Sequence, residues 1–182
     1  MSDFHQNGVI STLHNLSNRS LDEIELELRE YSKEAPIELI LPSLYSELKG
    51  DALKNIVSCL SNVKYLNHIT IGLDKADKSE FIKAKKFFSS LNQSHSVIWN
   101  DSPKMKKLDS DFKKLGIAPT QPGKGKNVWY CMGYTYSRNE AGSVARQDCD
   151  STTYNRDLLA RLVYRVANPY FNYEFCKGYY PR

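Results

Sequence analysis

Short apolar runs alternate with amphipathic stretches along this chain, and that alternation constrains the fold more than any other feature. Residues 37–41 are apolar but for Glu38 and are closed by Pro42, residues 69–73 end at Asp74, and residues 96–99 end at Trp99. A fourth run over 143–147 leads into Asp148, and residues 173–180 read as a final strand rich in aromatics. Between the runs, apolar residues recur at helical spacing. Ser20 stands as an N-cap with Glu23 at the capping-box position, followed by Leu21, Ile24, Leu28 and Tyr31. Leu53, Ile56, Val57 and Leu60 form a second stripe, and Phe81, Ala84, Phe88 and Leu91 a third. Pro103 fits the first turn of a helix that Gly116 would stop. A helix over 127–138 would turn Val128, Tyr130 or Cys131, and Tyr134 or Thr135 inward, and another over 156–166 carries Leu158, Leu159, Leu162, Val163 and Val166. The expectation is an α/β fold with a mostly parallel sheet flanked by helices, with ligands at the carboxyl ends of the strands. Residues 1–36 read as an N-terminal extension with one helix, and residues 37–182 as the unit that carries the sheet.

At 182 residues the chain suits one core. No apolar run is long enough to span a bilayer, and the first residues lack the pattern of a signal peptide. The four cysteines, Cys59, Cys131, Cys149 and Cys176, form no Cys-x-x-Cys pair, which argues against zinc and points to the reducing cytoplasm. The net charge of +4 is too mild to imply nucleic acid. The lysines over 104–114 read as a solvated helix face. The four histidines lie far from the acidic motif described next, and no serine stands in Gly-x-Ser-x-Gly.

Two stretches could carry chemistry. Gly123-Lys124-Gly125-Lys126 opens a helix, where glycines let backbone amides approach an anion and a lysine can meet a diphosphate. It matches neither the P-loop nor Gly-x-Gly-x-x-Gly, and a plain turn is the alternative. Asp148-Cys149-Asp150 closes the fourth strand. Two carboxylates there repel each other unless a cation or donor compensates, and Mg2+ or Mn2+ would bridge them to phosphate. The alternative is that Asp150 caps the turn or helix after Ser151-Thr152.

In this order and spacing, the pieces resemble a GT-A glycosyltransferase, and more narrowly the glucosyl-3-phosphoglycerate synthase group with its mannosylglycerate-forming relatives. The resemblance runs from Ile37 to Arg182. It rests on Pro42-Ser43-Leu44-Tyr45-Ser46-Glu47, on Asp74, on Gly123-Lys124-Gly125 with Trp129, on Asp148-Cys149-Asp150, and on the closing segment from Phe175. Tyr45-Ser46 and Arg146-Gln147 depart from the family pattern. The resemblance implies a Rossmann-like GT-A fold that transfers a hexose from a UDP- or GDP-sugar, UDP-glucose first, to a small acceptor such as 3-phosphoglycerate or glycerate. Configuration would be retained and the metal would be Mg2+ or Mn2+. It implies Pro42, Ser43, Leu44, Glu47 and Asp74 around base and ribose, and Gly123, Lys124 and Gly125 at the diphosphate or base. Asp148 falls at ribose and metal, and Asp150 is the direct metal ligand. Asp150 and Lys124 are the residues expected to act in catalysis. The acceptor site and a further histidine ligand would belong to a part beyond this chain, which then looks like a donor-binding half. A homodimer is open as an assembly; nucleic acid and membrane are not expected as partners.

Overall fold

In a computed structural model, residues 19–178 are described. Helix α1 (Leu21–Glu34) precedes strand β1 (Ile37–Leu44), a 3-10 turn (Tyr45–Lys49), α2 (Asp51–Leu60), β2 (Leu66–Asp74), α3 (Lys78–Phe88) and β3 (Ser94–Trp99). Then come α4 (Pro103–Lys114), α5 (Lys124–Arg138), β4 (Ser143–Arg146) and α6 (Arg156–Ala167). The four strands form one sheet in the order β3-β2-β1-β4, and every pair is parallel.

Local chemistry starts these helices where the sequence reading put them. Ser20 and Glu23 form a full capping box on α1, and Asp77 with Glu80 does the same for α3. Ser102 caps α4 with Pro103 in its first turn. Asn155, not Asp150, caps α6 by accepting from the Leu158 amide. The capping alternative for Asp150 at that helix is therefore not what the fold adopts.

The two faces of the sheet differ in chemistry. Ile37, Leu39 and Leu41 of β1, with Ile69, Ile71 and Leu73 of β2, belong to the main apolar core shared with α1, α2, α3 and α6. The opposite face lies under α5 and is polar toward the amino ends of the strands. There Glu38 meets Arg138 at 3.5 Å and Thr70 meets Thr135. His68 is bonded through both ring nitrogens to Ser94 and Ser96. Burial holds its imidazole near pKa 4, with Arg138 adding to the effect, so it stays neutral as a structural group.

Three expectations shift. First, β1 does not stop at Pro42 but runs on to Leu44, pairing Pro42 with Gly72 and Leu44 with Asp74. The β4 ladder ends at Ile40–Arg146, with one more bond from the Gln147 amide to the Ile40 carbonyl, so no neighbour on that side needs the amide proline lacks. Second, α5 begins at Lys124 rather than Asn127, and Asn127, Tyr130, Cys131 and Thr135 are its buried residues while Val128 is only half-buried. Third, residues 173–178 form no strand, and 179–182 lie outside the described residues. Phe171 packs edge-on against Tyr164 of α6, and Tyr173 against Phe171, leaving Tyr170 and Phe175 mostly exposed.

Candidate functional site

The carboxyl rim of the sheet gathers the residues singled out in the sequence. The rim is stepped. β1 and β2 end level at Leu44 and Asp74, while β4 ends opposite Ile40, so residues 147–150 run on beside the last turn of β1. Cys149 is buried beside Ser43 and Glu47, and burial pushes its thiol pKa up. The buried thiol anchors the segment, with Asp148 half-exposed on one side and Asp150 exposed on the other.

Asp148 lies next to the start of α5. Its Oδ2 is 2.8 Å from Lys124 Nζ. Its Oδ1 lies 3.2 Å from the Arg146 guanidinium, off hydrogen-bond geometry, and is a buried oxygen with no hydrogen-bond partner among the described residues. The Lys124–Asp148 pair joins side chains 44% and 40% exposed, and such pairs contribute about 0–1 kcal/mol. Its stabilising worth is small. Asp150 has no side-chain hydrogen bond or ion pair among the described residues.

Gly123 precedes α5 with φ of 119°, a conformation open to glycine and strained for other residues, and no side chain caps the helix. The amides of Lys126 and Asn127 return to the Gly123 carbonyl. Those of Lys124 and Gly125 therefore begin a 15-residue helix whose partial positive charge faces the rim. A Cβ on Gly125 would meet nothing within 4 Å, so the backbone there is approachable. Lys126, by contrast, is committed elsewhere. With Lys113 and the Tyr130 hydroxyl it converges on Asp109 of α4.

On the β2 side, Asp74 is half-buried. Burial raises its pKa, while Asn100, donating from Nδ2 at 2.7 Å, pulls it back. Ser43 is 1% exposed, and its hydroxyl donates to Glu47 Oε2 at 3.1 Å. The same oxygen accepts the Leu44 amide at 2.9 Å. Glu47 thus holds the turn after β1 in shape, and Pro42 is buried beside Gly72.

The fold therefore brings Lys124 and Asp148 into contact, with Asp150 next along the chain. It places Asp74 and the segment 42–47 on the same rim. Sequence reasoning missed three residues that fix this arrangement. Gly72 leaves room for α5: a Cβ there would stand 1.8 Å from Asn127 Oδ1 and 2.5 Å from Cys131 Sγ. Asn127, 3% exposed, donates to the Gly72 carbonyl at 2.9 Å. Asn100 orients Asp74. The available signals were a glycine inside an apolar strand and an asparagine inside a helix, both out of place by local preference.

Among the described residues, no three of His, Cys, Asp and Glu gather as a metal cluster, and no helix is long and apolar enough to cross a membrane.

No protein-family model matches the chain. A glucosyl-3-phosphoglycerate synthase of Persephonella marina is 46% identical over 182 residues, covering 100% of this chain and 45% of the relative. One of Methanococcoides burtonii is 34% identical over 183 residues, covering 99% and 44%. The chain thus spans less than half the length of the curated relatives it matches. A crystal structure of the Mycobacterium tuberculosis glucosyl-3-phosphoglycerate synthase, in complex with Mn2+, UDP and glucosyl-3-phosphoglycerate, superposes with a TM-score of 0.53 at 15% identity. It covers 86% of this chain and 47% of that one, which shows a shared fold. Over its full length the chain matches part of the glucosyl-3-phosphoglycerate synthases in sequence, and it shares the GT-A fold of one of them.

Proposed function

We propose that this chain is the donor-binding part of a hexosyltransferase that moves glucose from UDP-glucose to 3-phosphoglycerate with retained configuration. The observation that carries the reading is the meeting of Lys124 with Asp148, whose Oδ1 is buried without a hydrogen-bond partner, at the uncapped start of α5. That oxygen's charged neighbour is the Arg146 guanidinium at 3.2 Å, off hydrogen-bond geometry, so its hydrogen-bonding capacity is left for a ligand. In the proposed roles, Asp74 and the backbone of 42–44 take the nucleoside, and Lys124 with the first amides of α5 takes the diphosphate. Glu47 shapes the turn that carries 42–44. The names of the relatives supply the sugar and the acceptor, and the Mn2+ and UDP bound to the structural neighbour support a metal-dependent nucleotide site.

The residues fit a divalent cation. The unengaged Asp150 carboxylate offers hard oxygen donors, Asp148 Oδ1 would add another on leaving Arg146, and Mg2+ or Mn2+ habitually takes one or two carboxylates and completes its shell from phosphate and water. Bound there, the cation would offset negative charge on the departing diphosphate. Lys124 would share that task as a fixed positive charge, already in place before charge develops. The Asp148 carboxylate, ion-paired with Lys124 at 2.8 Å, orients the ammonium.

Titration calorimetry with UDP, with and without Mn2+, tests the reading. The chain is expected to bind UDP more tightly with Mn2+. Asp150→Ala should erase the metal effect, and Lys124→Ala should weaken UDP about tenfold, as expected for losing one charge-assisted contact. UDP binding indifferent to both Mn2+ and Asp150→Ala would overturn it. A second reading is a nucleotide-binding module of the same fold without turnover. Release of UDP from UDP-glucose in the presence of 3-phosphoglycerate separates the two.

A further inference from the structure

We infer that Asn127 is a positioning residue of the donor site, locking the start of α5, and with it Lys124, to the end of β2, and with it Asp74. The inference rests on the donor-site reading and adds a coupling between its nucleoside and diphosphate ends.

The side chain is where packing alone would not put it. Asparagine competes with helical backbone bonding and is a poor choice inside a helix. Burying its amide is costly unless the polar atoms are paired. Here they are paired, each to a different part of the rim. Nδ2 donates to the Gly72 carbonyl at 2.9 Å, and Oδ1 accepts from the Cys131 thiol at 3.4 Å. Asp74 follows Gly72 by two residues, and against the effect of burial the Asn100 and Asn127 amides both favour its carboxylate form. The backbone amide of the same residue reaches the Gly123 carbonyl at 3.2 Å and closes the first turn of α5. One residue therefore bonds β2 two positions before Asp74 and bonds the glycine that sets the helix start. Gly72 allows the approach, because a Cβ there would overlap the Asn127 side chain. An apolar residue at this place could seal the contact but could not bond the Gly72 carbonyl.

Other groups around Asp74 matter to the test. Asp101, after β3, raises its pKa; Lys126 of α5 lowers it; the Cys131 thiol is the other titratable neighbour. None of these three is seen to bond the Gly72 carbonyl as Asn127 does.

UDP with Mn2+ is titrated into the full chain, into Asn127→Ala, into Asp74→Asn and into the double variant, each at several pH values. Asn127→Ala should weaken UDP about tenfold, and the double variant should be little weaker than the worse single one, as for residues acting as a unit. The acid midpoint of UDP binding should move to higher pH in Asn127→Ala, because a donor that favours the Asp74 carboxylate is gone, and should not move in the Asp74→Asn background. Cys131→Ala, which loosens the same contact without touching Asp74, should lower the melting temperature and leave that midpoint in place. If Asn127→Ala does not fold, Asn127→Ser serves, since its short hydroxyl cannot span the Gly72 carbonyl and Asp74 together. Additive losses, or an unmoved midpoint, overturn the inference while leaving the donor site standing. A wild-type chain that binds no UDP overturns the donor site and this inference with it.

Discussion

Three glycines on this rim are asked for three different things. Gly72 is a hole: a Cβ would stand 1.8 Å from Asn127 Oδ1, so Gly72→Ala must push α5 off β2. Overpacking of this kind costs about 1–3 kcal/mol, and urea unfolding should show a loss of that size. Gly123 is a conformation, with φ of 119°. Gly125 is neither, because it lies within α5 with open space where a Cβ would go. Gly125→Ala should therefore stabilise the fold by about 0.5–1 kcal/mol, as helical glycine replaced by alanine does. If the backbone there approaches a diphosphate, the same change should weaken UDP binding. Stability and affinity moving in opposite directions would mark Gly125 as a ligand-facing glycine; unchanged affinity would mark it as an ordinary helical one. The loop and the acid pair were legible in the sequence because their residue types announce charge and backbone access. Gly72 and Asn127 were not, since each has meaning only through the other, 55 positions away.

At the scale of elements, α4 is the one whose attachment is least apolar, for none of its residues is buried. It is tied to α5 through Asp109, which meets Lys113 at 2.8 Å and the Tyr130 hydroxyl at 2.6 Å and also pairs with Lys126. Phe112 adds an edge-on contact with Trp129. Lys113, Lys126 and Tyr130 hold the Asp109 carboxyl well below the usual range. A depressed carboxyl contributes stability above its unfolded pKa, near ~4, and that contribution is lost as pH falls through the lower folded value. Amide exchange in α4 should thus stay slow from neutral pH down to about pH 4 and quicken only in stronger acid. Asp109→Asn should quicken it at neutral pH, with the β1 and β2 amides unchanged; exchange in α4 indifferent to the substitution would show that Phe112 suffices. Helix starts were legible because capping is local chemistry, as Ser20, Asp77 and Ser102 show. The strand expected over 173–180 is absent over 173–178, the described part, for the opposite reason. Aromatic alternation signals fitness for a sheet, but a strand exists only beside a partner edge, and over the described residues this segment packs near α6 instead.

For the molecule as a whole, the open matter is whether residues 1–36 form an appendage or part of one cooperative unit. Ile24 and Leu28 of α1 lie in the same core as Leu159 and Val163 of α6 and the inward residues of β1 and β2. Polar contacts cross the same helix pair: Arg156 Nε donates to Glu25 Oε1 at 3.0 Å, Arg19 donates to the Tyr164 hydroxyl at 2.9 Å, and that hydroxyl also bonds Glu27. The described part of this segment is thus wedged into the main core and joined to the last helix of the chain, a relation that the helical spacing of Leu21, Ile24, Leu28 and Tyr31 could announce only as an amphipathic face without a partner. Such closure of first helix on last predicts a single transition. Leu28 is fully buried, so Leu28→Ala should cost about 2–5 kcal/mol, the usual range for a core leucine. Circular dichroism reports all the helices, whereas the fluorescence of Trp99 and Trp129 reports β3 and α5. If the chain is one unit, both signals should shift to lower urea together in Leu28→Ala, with coincident midpoints. If α1 is an appendage, the tryptophan transition should keep its wild-type midpoint while part of the helical signal melts early.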